Sequence, residues 1–327
     1  MLLAATAALL AAAAWLGLAY RRELAAHEAR VAAGSRVVDT RCGPIEFAEA
    51  GRGPALLVIH GSGGGFDQGL ALGAAHAARG WRVIAPSRFG YLRTPMPDGA
   101  GADASPAAQA DHHACLLDAL GVRDAALMGV SAGALSALQF AARHPQRTRA
   151  LVLAVPAVYR PGLVPPPAWA ERAMLALLGA DLPFWLAARF APDLVRRIVL
   201  ATPPADYAAA GADEQRRADA LMAQIQPVHR RARGLAHDTL ASARAARVAL
   251  ETIRAPTLVI AARNDGFGLW DAARYTAAHI AGARFVGFDD GGHLMLGHER
   301  ERADAVEAFL REAIIVPTGP EGAPHAR

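Results

Sequence analysis

Six short, almost wholly apolar runs recur along the chain: "ALLVIHGSGGG", "WRVIAPS", "DAALMGV", "RALVLAVP", "PTLVIAARND" and "ARFVGFDD". A strand with one wet face alternates apolar and polar residues. A continuous apolar run of this length instead fits a strand buried on both faces, as in a parallel sheet covered by helices. The intervening stretches read as helices over about Asp67 to Arg79, Pro106 to Leu120, Ala132 to Arg143, Trp270 to Ile280 and Glu299 to Ala313. Repeated strand-helix units predict an α/β fold with a mostly parallel central sheet and helices on both faces. Ahead of them, "RVVDTRCGPIEFAEAGRGP" alternates and is punctuated by Gly43-Pro44, the pattern of a two-stranded hairpin.

The rhythm stops between Ala157 and Thr252, where only helical pieces and proline-rich turns such as "VPPP" and "TPPA" occur. An insertion of this size between two strands reads as a helical lid over the strand ends. The expected organisation is therefore a core of residues 36–156 and 253–314, a lid of residues 157–252, and a disordered tail of residues 315–327. Within the lid, "AMLALLGADLPFWLAARF" and "DLVRRIVLA" read mainly as packing between lid and body, and secondarily as an apolar pocket wall.

Residues 1–22 form a separate unit. The run from Leu2 to Tyr20 is uncharged and would span nearly 30 Å as a helix, enough to cross a bilayer, with Trp15 and Tyr20 suited to the interface. A cleavable signal needs basic residues before the apolar stretch, whereas Arg21 and Arg22 follow it, so an uncleaved anchor is the expectation and a signal peptide the alternative. Arg21, Arg22 and Arg30 would keep the rest of the chain in the cytoplasm; export after cleavage is the rival localisation. A polar spacer is expected after the anchor.

The net charge of +4 is carried entirely by arginine, because the 327 residues include no lysine. The arginines are scattered among acidic residues and form no basic stripe interleaved with aromatics, so nucleic acid is not expected as a partner. Cys42 and Cys115 have no metal-type or redox spacing; two buried free thiols are expected, with a disulfide open only if the chain is exported. No metal or cofactor is implied, and the oligomeric state is left open.

The chemistry concentrates in four loops. In "GVSAG", Ser131 is either the cap of the following helix or a nucleophile on a tight strand-to-helix turn. Such a turn crowds the positions two before and two after the serine, where Gly129 and Gly133 stand. Chance would produce the G-x-S-x-G pattern only about 0.06 times in a chain of this composition. "HGSGGG" ends the first buried strand with a backbone free of bulky side chains, able to aim amides at a developing oxyanion; Ser62 and Ala132 are the expected donors, with Gly63 next. A phosphate cradle is the rival reading, disfavoured because the loop has neither a P-loop lysine nor a G-x-G-x-x-G run. His60 reads as a structural residue of that loop.

"HGSGGG", "GVSAG", "ARNDGF" and "GGH", in that order over residues 36 to 313, resemble the α/β-hydrolase superfamily. The resemblance implies that fold, with a triad in the order nucleophile, acid, histidine. Asp265, after "TLVIAA", and His293, after "ARFVGFDD", match its last two members. Ser131 would attack a carbonyl, His293 would act as base and then acid, and Asp265 would orient the imidazole. The implied activity is a serine hydrolase acting through an acyl-enzyme, foremost a carboxylic esterase on small or apolar acyl substrates, with a small molecule as the partner. Cleavage of amides, carbon-carbon bonds or thioesters, cofactor-free perhydrolysis, and a catalytically silent membrane-tethered binding module remain alternatives.

Residues outside those loops read as structural. Asp289 and Asp290 are expected to face solvent, His298 to open the last helix, and His112 and His113 to lie on the surface. "PSRFGYLRTPMP" resembles the loop after the family's fourth strand, with Ser87 in place of the usual aspartate and Thr94 near the usual serine. Arg88 and Arg93 there read as salt-bridged or solvent-exposed in preference to contacting an anionic substrate group. "HRRAR", residues 229–233, reads as a solvated helix face in preference to a membrane-facing one.

Overall fold

The computed structural model describes residues 1–99 and 101–315. A long helix α1 (Leu2–Ala33) is followed by β1 (Arg36–Thr40), β2 (Gly43–Ala50), β3 (Ala55–Ile59), α2 (Phe66–Ala77), β4 (Arg82–Pro86), α3 (Pro106–Ala119), β5 (Ala125–Val130), α4 (Gly133–Arg143) and β6 (Thr148–Ala154). Six helices come next: α5 (Ala168–Leu177), α6 (Asp181–Phe190), α7 (Pro192–Val199), α8 (Pro204–Ala209), α9 (Ala212–Gln224) and α10 (Ala232–Ala243). The chain then returns through β7 (Thr257–Ala262), α11 (Trp270–His279), β8 (Arg284–Phe288) and α12 (Glu299–Ile315). The expected tail lies almost wholly outside the described residues.

The eight strands form one sheet in the order β1-β2-β4-β3-β5-β6-β7-β8. β1 pairs antiparallel with β2, and β2 with β4; every later pairing is parallel. Successive residues of each central strand feed opposite faces. Leu57, Ile59, Leu127, Leu151, Leu153 and Val259 pack under α3, α4 and α11. Leu56, Val58, Met128, Val152, Leu258 and Ile260 pack under α2 and α12. Full burial of each such side chain contributes about 1.5–3 kcal/mol, so the apolar runs define the sheet and seat both helical layers.

Four sequence expectations are corrected. The anticipated polar spacer is helical, because Glu23, Glu28 and Arg30 continue α1 and find partners on the body: Trp185 Nε1 donates to Glu23, and Arg30 pairs with Asp67. Cys42, exposed in the β1–β2 turn, is joined to buried Cys115 of α3 in a disulfide across 73 residues, so neither is a buried free thiol. His112 and His113 are buried rather than on the surface, since α3 turns them toward Phe89 and the Ser136 hydroxyl. In "HRRAR", Arg231 is completely buried against Asp67, while His229 and Arg230 stay exposed.

Candidate active site

Ser131 occupies the two-residue turn between β5 and α4 with φ of 52°, in the left-handed region that non-glycine residues rarely enter. Such strain costs on the order of 1–3 kcal/mol and persists only where the surroundings hold it. Here the Ser131 amide donates to the Ala154 carbonyl at 2.9 Å, and its own carbonyl accepts from Ala134 and Ala157 at 3.0 and 3.1 Å. The flanking glycines are required by contact. A Cβ on Gly129 would sit 2.6 Å from the Ala137 Cβ, and one on Gly133 would sit 2.4 Å from the Ile59 carbonyl oxygen. The residue entering α4 is Ala132, and no side chain caps that helix, so the Ser131 hydroxyl is not spent on capping.

Asp265 and His293 lie beyond the ends of β7 and β8, and their side chains meet: His293 Nδ1 donates to Asp265 Oδ2 at 2.8 Å. The other carboxylate oxygen accepts the Phe267 amide at 2.8 Å, and the Phe267 ring stands edge-on to the imidazole at 4.9 Å. A carboxylate can only accept, so Nδ1 carries the proton and Nε2 is left as the basic nitrogen. His293 and Ser131 line one cavity without a direct hydrogen bond between them. The two loops are tied together by Asp206 of α8, whose carboxylate accepts from Gly291 N and Asn264 Nδ2; Asn264 Oδ1 in turn accepts from Gly292 N. Asp289 and Asp290 face solvent as expected, and His298 precedes α12 with Nε2 against Asp290.

Opposite them is the glycine-rich loop. The amides of Ser62 and Ala132 have no hydrogen-bond partner among the described residues, whereas the Gly63 amide donates to the Tyr91 hydroxyl at 3.2 Å. Both amides are therefore free to donate, whereas Gly63 is engaged elsewhere. His60 is wholly buried, bonded to Gly61 O through Nδ1 and accepting the Arg88 amide through Nε2. Burial, reinforced by the Arg88 charge, pushes its pKa down to about 3, so it stays neutral and structural.

A buried network braces that loop from behind. Asp238 of α10 receives both guanidinium nitrogens of Arg88, the Tyr91 hydroxyl and the Ser62 hydroxyl. Burial pushes the Asp238 carboxyl up, but the Arg88 charge and hydrogen bonds from His237, Arg88 and Tyr91 outweigh it and hold it well below the usual range. Beside it, Arg231 donates to the Gly64 carbonyl and pairs with Asp67, which also takes Arg30 of α1. Arg88 and Arg93 are thus salt-bridge partners, Arg93 of Glu46. Ser87 and Thr94 bond to the same strand, the Ser87 hydroxyl to the Glu46 carboxylate and the Thr94 hydroxyl to the Glu46 amide. Asp206, Asp238 and Tyr91 escaped the sequence reading, since their partners lie tens to more than a hundred residues away and no local spacing marks them.

The cavity holds about 590 Å³ between the strand ends and the inserted helices. Beyond Ser131, Ser62 and His293 its walls are mainly apolar, with Met174, Leu178, Leu221 and Leu235 contributed by the insertion. No cluster of metal-ligating side chains occurs among the described residues.

A family model described as alpha/beta hydrolase fold matches residues 54–298. The chain belongs to the alpha/beta-hydrolase family. Among solved structures, this alpha/beta hydrolase is similar to an alpha/beta hydrolase fold protein from Nakamurella multipartita, 31% identical over 85% of this chain and 99% of that one, with a TM-score of 0.72. A membrane phospholipase A of bacterial origin shares the fold at 22% identity and a TM-score of 0.66, over 96% of this chain and 99% of its own. The curated relatives match more locally. The 2-hydroxymuconate semialdehyde hydrolase of Pseudomonas putida is 38% identical over 106 residues, 32% of this chain and 37% of that protein.

Proposed function

We propose that the protein is a serine hydrolase whose foremost substrates are carboxylic esters with an apolar acyl group. The observation that carries this reading is Ser131, held at positive φ in the cavity that His293 also lines, with Asp265 hydrogen-bonded to His293 Nδ1. Ser131 Oγ attacks the acyl carbonyl while His293 Nε2 takes its proton. The carbonyl electrons move onto oxygen, opposite the Ser62 and Ala132 amides. Asp265 stabilises the imidazolium through Nδ1. Collapse expels the alcohol, protonated by His293, and leaves an acyl-serine that water hydrolyses by the same steps. The apolar walls support an acyl chain as the group accommodated.

Hydrolysis of a carbon-carbon bond is the second reading, favoured by the name of the P. putida relative, which this chain matches over a third of its length. Residues 157–252 act in either case as the lid that closes the cavity, with the body formed by residues 36–156 and 253–314. The separating experiment is a panel of p-nitrophenyl esters of graded acyl length with Ser131→Ala as control. The ester reading predicts turnover that depends on Ser131 and rises from acetate to medium chains. Equal, slow turnover by both proteins defeats it.

We further propose that α1 is retained as a membrane anchor: its apolar window has a mean hydropathy of 2.1 and is unburied. The Cys42–Cys115 disulfide favours the oxidising side of the membrane for the catalytic domain, in place of the cytoplasm that Arg21, Arg22 and Arg30 suggest. Intact mass of the native protein tests retention, since loss of the first twenty or so residues removes the anchor.

A further inference from the structure

The apolar half of α1 does not stand clear of the catalytic domain. Helix α6 packs against it: Tyr20 meets the Trp185 ring edge-on at 5.6 Å, Glu23 accepts from Trp185 and Arg189, and the Arg189 guanidinium lies 5.4 Å from the centre of the Trp15 ring. Trp185 thus contacts Tyr20 and Glu23, and Arg189, one turn further along α6, spans from Glu23 back to Trp15. The end of α6 reaches Trp15, about 7 Å along the helix from Tyr20, well inside the uncharged stretch. A bilayer that takes up that stretch also reaches the corner between α6 and α7.

That corner is built for it. With Trp185 and Arg189 turned to α1, α6 exposes Leu182, Leu186 and Phe190 at four-residue spacing, and α7 exposes Leu194 and Ile198 in the same way. Single exposed apolar residues are ordinary, but five on two adjoining helices beside an apolar anchor make a patch of the kind that marks a membrane or partner contact. Exposed Arg197 lies on α7 between Leu194 and Ile198, and exposed Arg21 and Arg22 follow Tyr20 on α1, cations available to lipid phosphates, with Asp193 and part-exposed Glu23 the acidic residues on the same elements. The patch is also continuous with the cavity. Ile198 lines the space that holds Ser131, and so does Val164, itself 79% exposed.

We propose that the α6–α7 corner docks into the lipid bilayer and that the cavity opens toward it at Ile198 and Val164, so that the enzyme takes its substrate, the acyl chain of a lipid ester, directly from the membrane. The docking face rests on α1 entering the bilayer, and the substrate class rests on the hydrolase reading above. The apolar chain passes from the hydrocarbon region along Ile198 to Ser131 without crossing water.

The experiment uses the full-length protein in vesicles of phosphatidylethanolamine and phosphatidylglycerol, with an environment-sensitive fluorophore on Phe190→Cys, Leu194→Cys or, as control, Ala278→Cys on exposed α11. Docking predicts that spin-labelled acyl chains quench positions 190 and 194 at least fivefold more than position 278. Equal quenching at all three overturns it, as does protection of 190 and 194 by a second copy of the chain. In parallel, Leu186→Asp combined with Phe190→Asp and Leu194→Asp is expected to lower hydrolysis of a long-chain ester in the vesicle at least tenfold, with p-nitrophenyl acetate hydrolysis kept within twofold. An equal fall for both esters overturns delivery from the membrane. If the unmodified protein hydrolyses neither ester, the hydrolase reading and the lipid-ester substrate fail, while the quenching still decides the docking face.

Discussion

Gly133→Ala isolates the turn that presents Ser131. The added Cβ would lie 2.4 Å from the Ile59 carbonyl oxygen and 2.5 Å from that of His60, where ordinary contact begins near 3.4 Å. Both neighbours are backbone atoms at the end of β3, so no rotamer change relieves the clash. The start of α4 and the strand end must separate by roughly 1 Å. Alanine at the first position of a helix gains about 1 kcal/mol over glycine, while overpacking costs about 1–3 kcal/mol, so the net loss of stability is expected to be small, about 1–2 kcal/mol at most. Catalysis suffers more. The same movement parts the Ala132 amide from the Ser62 amide, and a misplacement of about 1 Å at a reacting centre costs on the order of 100-fold. Urea unfolding and kcat/KM on a medium-chain p-nitrophenyl ester read the two effects separately. A variant with kcat/KM within twofold of the parent refutes the steric argument for the glycine and with it the described placement of the turn.

Asp238→Asn leaves the Arg88 guanidinium, 5% exposed, without its counter-charge, and is expected to cost about 3–5 kcal/mol in urea unfolding; a loss under 1 kcal/mol would show that the network does not brace the loop. His60, with its pKa near 3, and His112, lowered by burial to about 4, are neutral in the fold while an unfolded histidine titrates near 6.5. The unfolded chain therefore binds more protons below that pH. Stability is full above about pH 6.5 and falls by about 1.4 kcal/mol per pH unit per histidine toward pH 4, and His112→Phe is expected to flatten that slope in thermal melts. The native protein is expected to give no thiol reaction in Ellman's assay, and reduction of the bond closing residues 42–115 is expected to cost about 4 kcal/mol; one or two reactive thiols in the native state would remove the bond from the account.

The sheet was legible because every central strand is buried on both faces, which leaves an unbroken apolar run, and because its helices have ordinary length. The loops that carry Ser131, Asp265 and His293 could be located for a related reason: each begins where such a run ends, and each contains glycines. What escaped was polar and long-range. Arg231 sits in a run that reads as solvated, yet Asp67, 164 residues earlier, draws it into full burial. His112 and His113 lie among polar neighbours in sequence, but the tertiary contacts of α3 decide their burial. The charged half of α1 looked like a spacer because its partners, Trp185, His229 and Asp67, belong to elements that local periodicity cannot bring beside it.

The claim on which the rest depends is that Ser131 is the nucleophile. Intact-mass and peptide analysis of the folded protein after exposure to a fluorophosphonate tests it most directly. The account predicts one adduct, on the peptide containing Ser131, absent from Ser131→Ala. No adduct, or an adduct on another residue that survives Ser131→Ala, contradicts it.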